Sequence, residues 1–167
     1  MQTSTLKGIL QAVKNGEVSI DDAVETLKNL PYENLGFARL DHHRALRTGQ
    51  GEVVYCEGKH VDHIISILKH LQKFSPNVLA TRLDQENATQ VLKHFPDAVY
   101  DPLARCLVLK ELSSPQFPGK VLIITAGTAD LPVAQEAFLT VRFMGYEAVT
   151  LYDVGVAGLH RLLDQWP

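Results

Sequence analysis

The chain has 167 residues, 46% hydrophobic and 21% charged, with a formal net charge of −3. That length allows one or two domains, and the charge gives no general case for nucleic acid or a membrane surface. Two cysteines, Cys56 and Cys106, are too few for a disulfide scaffold and fit a reducing, cytoplasmic setting; no run approaches the ~20 apolar residues of a membrane span, and no signal peptide is read.

Leu6, Ile9, Leu10 and Val13 recur at helical spacing over residues 4–15, ending near Gly16. Ser19 caps a second helix, with Asp22 three residues on as a variant capping box. Ile20, Val24 and Leu27 form its apolar stripe until Pro31 stops it. Residues 1–35 thus read as a helical hairpin whose faces pack on the body of the protein or on a partner subunit.

Residues 36–112 read as a small α/β domain. Its first stretch, residues 36–50, gathers Arg39, Arg44 and Arg47 around Asp41, His42 and His43. Arginine suits bidentate capture of phosphate or carboxylate, but Asp41 can equally neutralise Arg44 and leave a solvated basic turn. Adjacent His42 and His43 point different ways on a helix or strand and make a poor metal pair. Residues 51–58 give a short strand and a glycine turn, with Lys59 opening a helix that carries Val61, Ile64, Ile65, Leu68 and Leu71. Lys59 can face a ligand phosphate, though without the full phosphate-loop pattern. His60 and His63 share a helix face, but no Cys or Glu-x-x-His pattern joins them, so no metal site is expected. Cys56, inside its strand, reads as a small buried hydrophobe. Residues 78–82 are a second strand and residues 85–94 a helix capped by Asp84. Residues 98–100 and 106–110 are two further strands, turning at Asp101-Pro102. The order implies parallel strands joined by right-handed crossovers, with the last strand antiparallel at an edge.

Residues 113–119 hold two prolines, two serines and a glycine and form the linker. Residues 121–124 lack polar alternation and predict a strand buried on both faces, as in a parallel sheet. Gly127 permits a tight turn and the close approach of a ligand. Asp130 caps or charge-complements the helix of residues 131–144, Pro132 suits its first turn, and Gly145 ends it. The free N–H groups of such a start suit a phosphate or carboxylate, although any strand–glycine–helix unit offers as much. Residues 148–152 are the next strand, and residues 153–161 a second glycine turn opening another helix. Both turns fall at the carboxyl ends of parallel strands, where open α/β sheets bind ligands. Residues 120–167 hold only β-α-β-α, too little for an independent domain, so completion by further residues or a partner chain is expected. The fold class is α/β: a helical hairpin and a small α/β domain, then the first β-α-β-α part of a Rossmann-like (flavodoxin-like) parallel sheet.

Four motifs in one order carry a family resemblance. Gly127-Thr-Ala-Asp-Leu-Pro132 resembles the Gly-Ser-x-Ser-Asp-Leu-Pro turn of aminoimidazole ribonucleotide carboxylases and mutases, and residues 153–161 take the place of their Ser-Ala-His-Arg segment. The chain resembles more closely the LarB family, pyridinium-3,5-biscarboxylic acid mononucleotide synthase of nickel-pincer cofactor synthesis. Leu40-Asp-His-His-Arg-x-x-Arg-x-Gly49, Glu52-Val-Val-Tyr-Cys-Glu-Gly-Lys59, Ala126-Gly-Thr-Ala-Asp-Leu-Pro-Val-Ala134 and the run from Asp153 to Leu163 carry it. The resemblance implies carboxylation of the pyridinium ring of nicotinic acid adenine dinucleotide, with bicarbonate or carbon dioxide as co-substrate, and phosphoanhydride cleavage releasing AMP. It also implies a nucleophilic cysteine in the family's C-terminal part. Neither Cys56 nor Cys106 falls in that motif, so residues 1–167 alone are expected to be inactive.

Asp130 would then be the catalytic residue of this stretch, orienting substrate or a metal-bound water, with Mg2+ a candidate cofactor and no metal ligands assigned. Gly127, Thr128, Asp153, Gly155, Val156, Ala157, Gly158, His160 and Arg161, with Arg44, Arg47 and Lys59, would bind a substrate carrying two phosphates and a carboxylate. Ala129 stands where the purine enzymes carry a second serine, which argues against their product. The expected partners are the dinucleotide and further copies of the chain. The alternatives are a catalytically incomplete nucleotide-binding or interaction module and a purine-biosynthesis carboxylase-like protein.

Overall fold

The computed structural model describes residues 3–27, 32–75, 77–110, 112 and 114–165. Pro31, expected to stop the second helix, and Ser113 of the linker lie outside the described residues. The chain packs as two compact bodies, Met1–Val54 with Lys59–Val78, and Tyr55–Gly58 with Leu79–Pro167.

The first body opens with helices α1 (Thr3–Lys14) and α2 (Ile20–Leu27). The Ser19 hydroxyl accepts the Asp22 N–H at 3.0 Å and donates to the Asp22 carboxylate at 2.6 Å, so the predicted cap forms with aspartate in the usual glutamate's place. Ala23 is the buried residue of α2, while Ile20 and Val24 of its apolar stripe stay exposed. Strands β1 (Glu33–Asn34) and β2 (Arg39–Leu40) pair antiparallel, and α3 (Arg44–Thr48) follows. The predicted basic turn is therefore a hairpin and a short helix. Helix α4 (Val61–Gln72) buries Ile64, Ile65, Ile67, Leu68 and Leu71 at the spacing that makes one helix face apolar.

A four-stranded sheet has the order β3-β4-β6-β5, with β3 at Val53–Tyr55. Just beyond it the Cys56 N–H donates to the Thr81 carbonyl at 2.9 Å. Strand β6 (Cys106–Val108) lies antiparallel to both β4 (Leu79–Thr81) and β5 (Val99–Asp101). This corrects the expected edge placement of the last strand. All three residues of β6 are buried, so it needs a neighbour on each side, whereas β5 carries an exposed Val99 and tolerates the edge. Helix α5 (Gln85–Leu92) starts at Asp84, whose carboxylate accepts the Asn87 N–H at 2.8 Å, as predicted. That backbone hydrogen bond holds the Asp84 carboxyl below its ordinary range.

Strands β7 (Lys120–Ile124) and β8 (Glu147–Leu151) pair in parallel, from Lys120 opposite Glu147 to Ile124 opposite Leu151. Helix α6 (Leu131–Phe143) connects them, Gly145 in a left-handed conformation ends that stretch, and α7 (Leu159–Leu163) follows β8. This is the mixed α/β, flavodoxin-like order read from the sequence. Leu139 and Phe143 of α6 pack with Leu112 against a core of Leu79, Ala104, Cys106 and Val108, which ties α6 to the β4-β6 sheet within the second body. The expectation that residues 121–124 are buried on both faces is overturned. Val121, Leu122 and Ile124 are 38%, 53% and 56% exposed. Among the described residues this sheet has two strands and α6 against them, so no second layer covers its remaining apolar surface. No helix among the described residues is long and apolar enough to cross a membrane.

Candidate functional site

Two turns leave the carboxyl ends of β7 and β8, and the backbone zips them together. The Thr125 N–H donates to the Leu151 carbonyl at 3.0 Å, and the Thr125 carbonyl accepts the Val154 N–H at 3.0 Å. The Gly155 N–H donates to the Ala126 carbonyl at 2.9 Å, and the Asp153 N–H donates to the Thr125 hydroxyl oxygen at 3.1 Å. Parallel pairing thus extends past the strands into the loops that can meet a ligand.

In the first turn, Thr128–Asp130 forms a single 3-10 turn leading into α6. The Asp130 carboxylate accepts the Gly127 N–H at 3.1 Å, and the Asp130 N–H donates to the Gly127 carbonyl at 3.2 Å. The carboxylate closes its own turn, and α6 begins without a side-chain cap. The expected cap is therefore corrected: no side chain caps α6, whose Leu131 N–H goes to the Thr128 carbonyl and whose second residue, Pro132, has no N–H to satisfy. Gly127 is extended at φ −145, ψ 172, a geometry open to any residue, and nothing lies within 4 Å of where its Cβ would be. The turn does not need glycine there; the open space is what glycine provides.

The second turn is the crowded one. A Cβ on Gly155 would lie 2.6 Å from the Ala126 carbonyl oxygen, so glycine is required for the two loops to touch. Asp153 takes a left-handed conformation with φ 57, and its carboxylate lies 2.7 Å from the Arg161 guanidinium. Arg161 folds back over Gly158, where a Cβ would meet its Nε at 2.7 Å. Val156, Ala157, His160 and Thr128 are exposed on the two turns.

Thus Gly127, Thr128, Asp130, Asp153, Gly155, Val156, Ala157, Gly158, His160 and Arg161 come together. Arg44, Arg47 and Lys59 belong to the other body. There Arg47 forks onto Asp41 at 2.6 and 3.1 Å, and this hydrogen-bonded pair holds the Asp41 carboxyl below its ordinary range. Arg47, rather than Arg44, is the arginine that Asp41 neutralises. The adjacent histidines diverge: buried His42 contacts Glu33 at 2.9 Å, while His43 lies 3.3 Å from Arg47. His63 stacks on Phe37 at 4.0 Å. Among the described residues no three His, Cys, Asp or Glu side chains converge as a metal cage.

Cys56 and Cys106 are both buried, and burial pushes the Cys106 thiol up from 9.0 to about 12. Cys106 is therefore no thiolate nucleophile in the folded protein. Iodoacetamide at pH 8 is expected to modify neither cysteine in the native protein and both in denaturant; rapid native labelling of Cys106 would contradict this. Because the folded state holds the Cys106 proton to higher pH than the unfolded state, its contribution to stability should fade between about pH 9 and 12.

Thr125 was not among the sequence candidates, yet it makes three of the four contacts that join the loops. Its signal is a polar residue closing an apolar strand, buried to 5% exposure. Two further links were not legible: Gln135 donates to Asp101 at 2.8 Å, and Arg82 pairs with Glu136 at 2.7 Å.

Residues 32–111 match the family described as LarB/PurE-like N-terminal domain. The chain is also similar to an uncharacterised protein of Methanocaldococcus jannaschii, at 40% identity over 164 residues. That similarity covers 94% of this chain and 64% of the relative, so the chain spans less than two thirds of the relative's length.

Proposed function

We propose, for a chain whose residues 32–111 belong to the LarB/PurE-like N-terminal domain family, that it is the N-terminal part of an enzyme of nickel-pincer cofactor synthesis. That enzyme carboxylates the pyridinium ring of nicotinic acid adenine dinucleotide and cleaves its phosphoanhydride, releasing AMP. The family is carboxylase- and mutase-related, and the dinucleotide reaction is the finer reading.

The observation that supports it is the pair of zipped turns at the carboxyl ends of β7 and β8. One turn offers the positive end of the α6 dipole and the Asp130 carboxylate. The other offers Arg161, held beside Asp153. A substrate with two phosphates and a carboxylate calls for a positive helix end and for a guanidinium. Bicarbonate or carbon dioxide is the co-substrate. Mg2+, where used, would be met by the Asp130 carboxylate, since Asp153 is paired with Arg161, and would offset the charge of the phosphates. The thiol that adds to the pyridinium would come from outside Cys56 and Cys106, both buried. Ala129 offers no hydroxyl, which disfavours a purine carboxylase.

Mass spectrometry of products from the full-length protein tests the reading. Nicotinic acid adenine dinucleotide plus bicarbonate should give a carboxylated pyridinium mononucleotide and AMP. Turnover of aminoimidazole ribonucleotide instead would favour the purine reading, and dinucleotide binding without turnover would favour a binding module.

A homo-oligomer follows from the same body. Exposed Leu122, Ile124 and Val149 share one face of the β7-β8 pair and make an apolar surface of the kind that associates. Sedimentation equilibrium should show a species larger than the monomer, and Leu122→Glu should shift it toward monomer. A wild-type protein that stays monomeric at the highest soluble concentration would contradict this.

A further inference from the structure

The two turns are held by a residue that contributes no charge and faces no solvent. Thr125 is 5% exposed, and its hydroxyl oxygen accepts the Asp153 N–H at 3.1 Å. Asp153 is one of three non-glycine residues with positive φ among the described residues, at φ 57. L-residues enter that region at a cost and stay there when their surroundings fix them. Here the fixing contacts are local: Thr125 takes the Asp153 N–H through its side chain and the Val154 N–H through its carbonyl, and Ala126 takes the Gly155 N–H. The left-handed turn at Asp153 lets its carboxylate meet Arg161 at 2.7 Å. On the far side Arg161 runs over Gly158, where any side chain would displace it, the nearest atom being Arg161 Nε at 2.7 Å from a built Cβ.

We propose that Thr125 is a positioning residue, which through the Asp153 backbone aims the ion pair of Arg161 and Asp153 at the anionic group of the substrate, while Gly158 leaves the space that Arg161 occupies. This rests on the reading of the two turns as a substrate site. The chain of cause runs from a buried hydroxyl to a backbone N–H, to a carboxylate, to a guanidinium. Valine at 125 keeps the strand shape and the methyl but removes the acceptor. Serine keeps the acceptor. Alanine at 158 leaves every hydrogen bond of Thr125 in place and displaces the guanidinium, with the His160 ring at 3.3 Å giving slightly; Gly158 sits at φ −137, so alanine meets no backbone strain.

Two readouts on the full chain separate this proposal from the functional reading beneath it. The first needs no ligand: the Asp153 amide and Arg161 Nε–H signals in a nitrogen-15 spectrum. Thr125→Val and Gly158→Ala should move the Arg161 signal, and Thr125→Ser should leave both near their wild-type positions. An unmoved Arg161 signal in Thr125→Val overturns the proposal, whatever the substrate. The second is calorimetric affinity for nicotinic acid adenine dinucleotide. Thr125→Val and Gly158→Ala should each bind about ten- to a hundredfold more weakly, as expected for a misplaced charged contact, with Thr125→Ser close to wild type. A merely structural threonine would lower the melting temperature and leave the affinity of the folded protein unchanged, which also overturns the proposal. A wild-type protein that binds no dinucleotide would sink the functional reading, and the spectra alone would then decide the role of Thr125. Should Thr125→Val not fold, Thr125→Ala, which also removes the acceptor, carries both readouts.

Discussion

Asp130→Asn in the full-length enzyme is expected to lower turnover on the order of a hundredfold or more, the scale for a lost general acid–base group, with the melting temperature almost unchanged. The structure sharpens this contrast. The Asp130 carboxylate accepts the Gly127 N–H at 3.1 Å, and an asparagine oxygen can accept the same bond. The turn therefore survives the substitution, while the negative charge beside the uncapped start of α6 is lost. Were Asp130 only a turn closer, asparagine would serve nearly as well, and both rate and stability would hold. Steady-state kinetics and thermal melting of one variant thus separate the two roles. Asp130→Ala serves as the control for the turn itself: it removes the acceptor and should cost about 1 kcal/mol of stability. A full-rate Asp130→Asn enzyme would remove Asp130 from the site and leave the first turn as a backbone cradle.

Gly155→Ala is expected to damage both stability and activity, by about 1–3 kcal/mol and about a hundredfold in kcat/KM. The new Cβ would lie 2.6 Å from the Ala126 carbonyl oxygen and 3.2 Å from the carbon that bears it. Both are backbone atoms, so no side chain can swing away. The same oxygen accepts the Gly155 N–H, so relieving the clash opens the contact that joins the turns. Gly127→Ala is the matching control, because Gly127 is extended with nothing within 4 Å of a Cβ. It should leave the urea midpoint unchanged and weaken binding if a ligand approaches that backbone. A Gly155→Ala protein with wild-type stability would show that the two loops are not locked together as described.

What the sequence made legible was mostly local chemistry. Ser19 with Asp22, Asp84 with Asn87, and Gly145 after α6 each act within a few residues, so spacing alone exposed them. The two glycine turns were legible for the same reason, since each follows an apolar run and precedes a helical pattern. Which glycine mattered was not. Gly127 was expected to supply a tight turn and is extended, while Gly155 proves to be the contact point, because that depends on a partner some thirty residues earlier in the chain. Thr125 was missed on the same ground: its hydroxyl acts on Asp153 across a parallel pairing that no local pattern shows. The central place of β6 and the exposure of Leu122 and Ile124 were misjudged because burial belongs to the neighbours a strand acquires, and a run of apolar residues does not name them. Arg44 was the partner read for Asp41, but the fork of Arg47 reaches that carboxylate instead, which spacing alone does not show.

The central claim is that substrate lies on the turns at the carboxyl ends of β7 and β8. Amide chemical-shift mapping during a titration with nicotinic acid adenine dinucleotide tests it most directly. The account predicts that the largest shifts fall on residues 125–130 and 153–161, centred on Gly127, Asp130, Gly155 and Arg161. Shifts confined to the other body, around the recess lined by Asp41, His42 and Glu52, with the two turns silent, would contradict it.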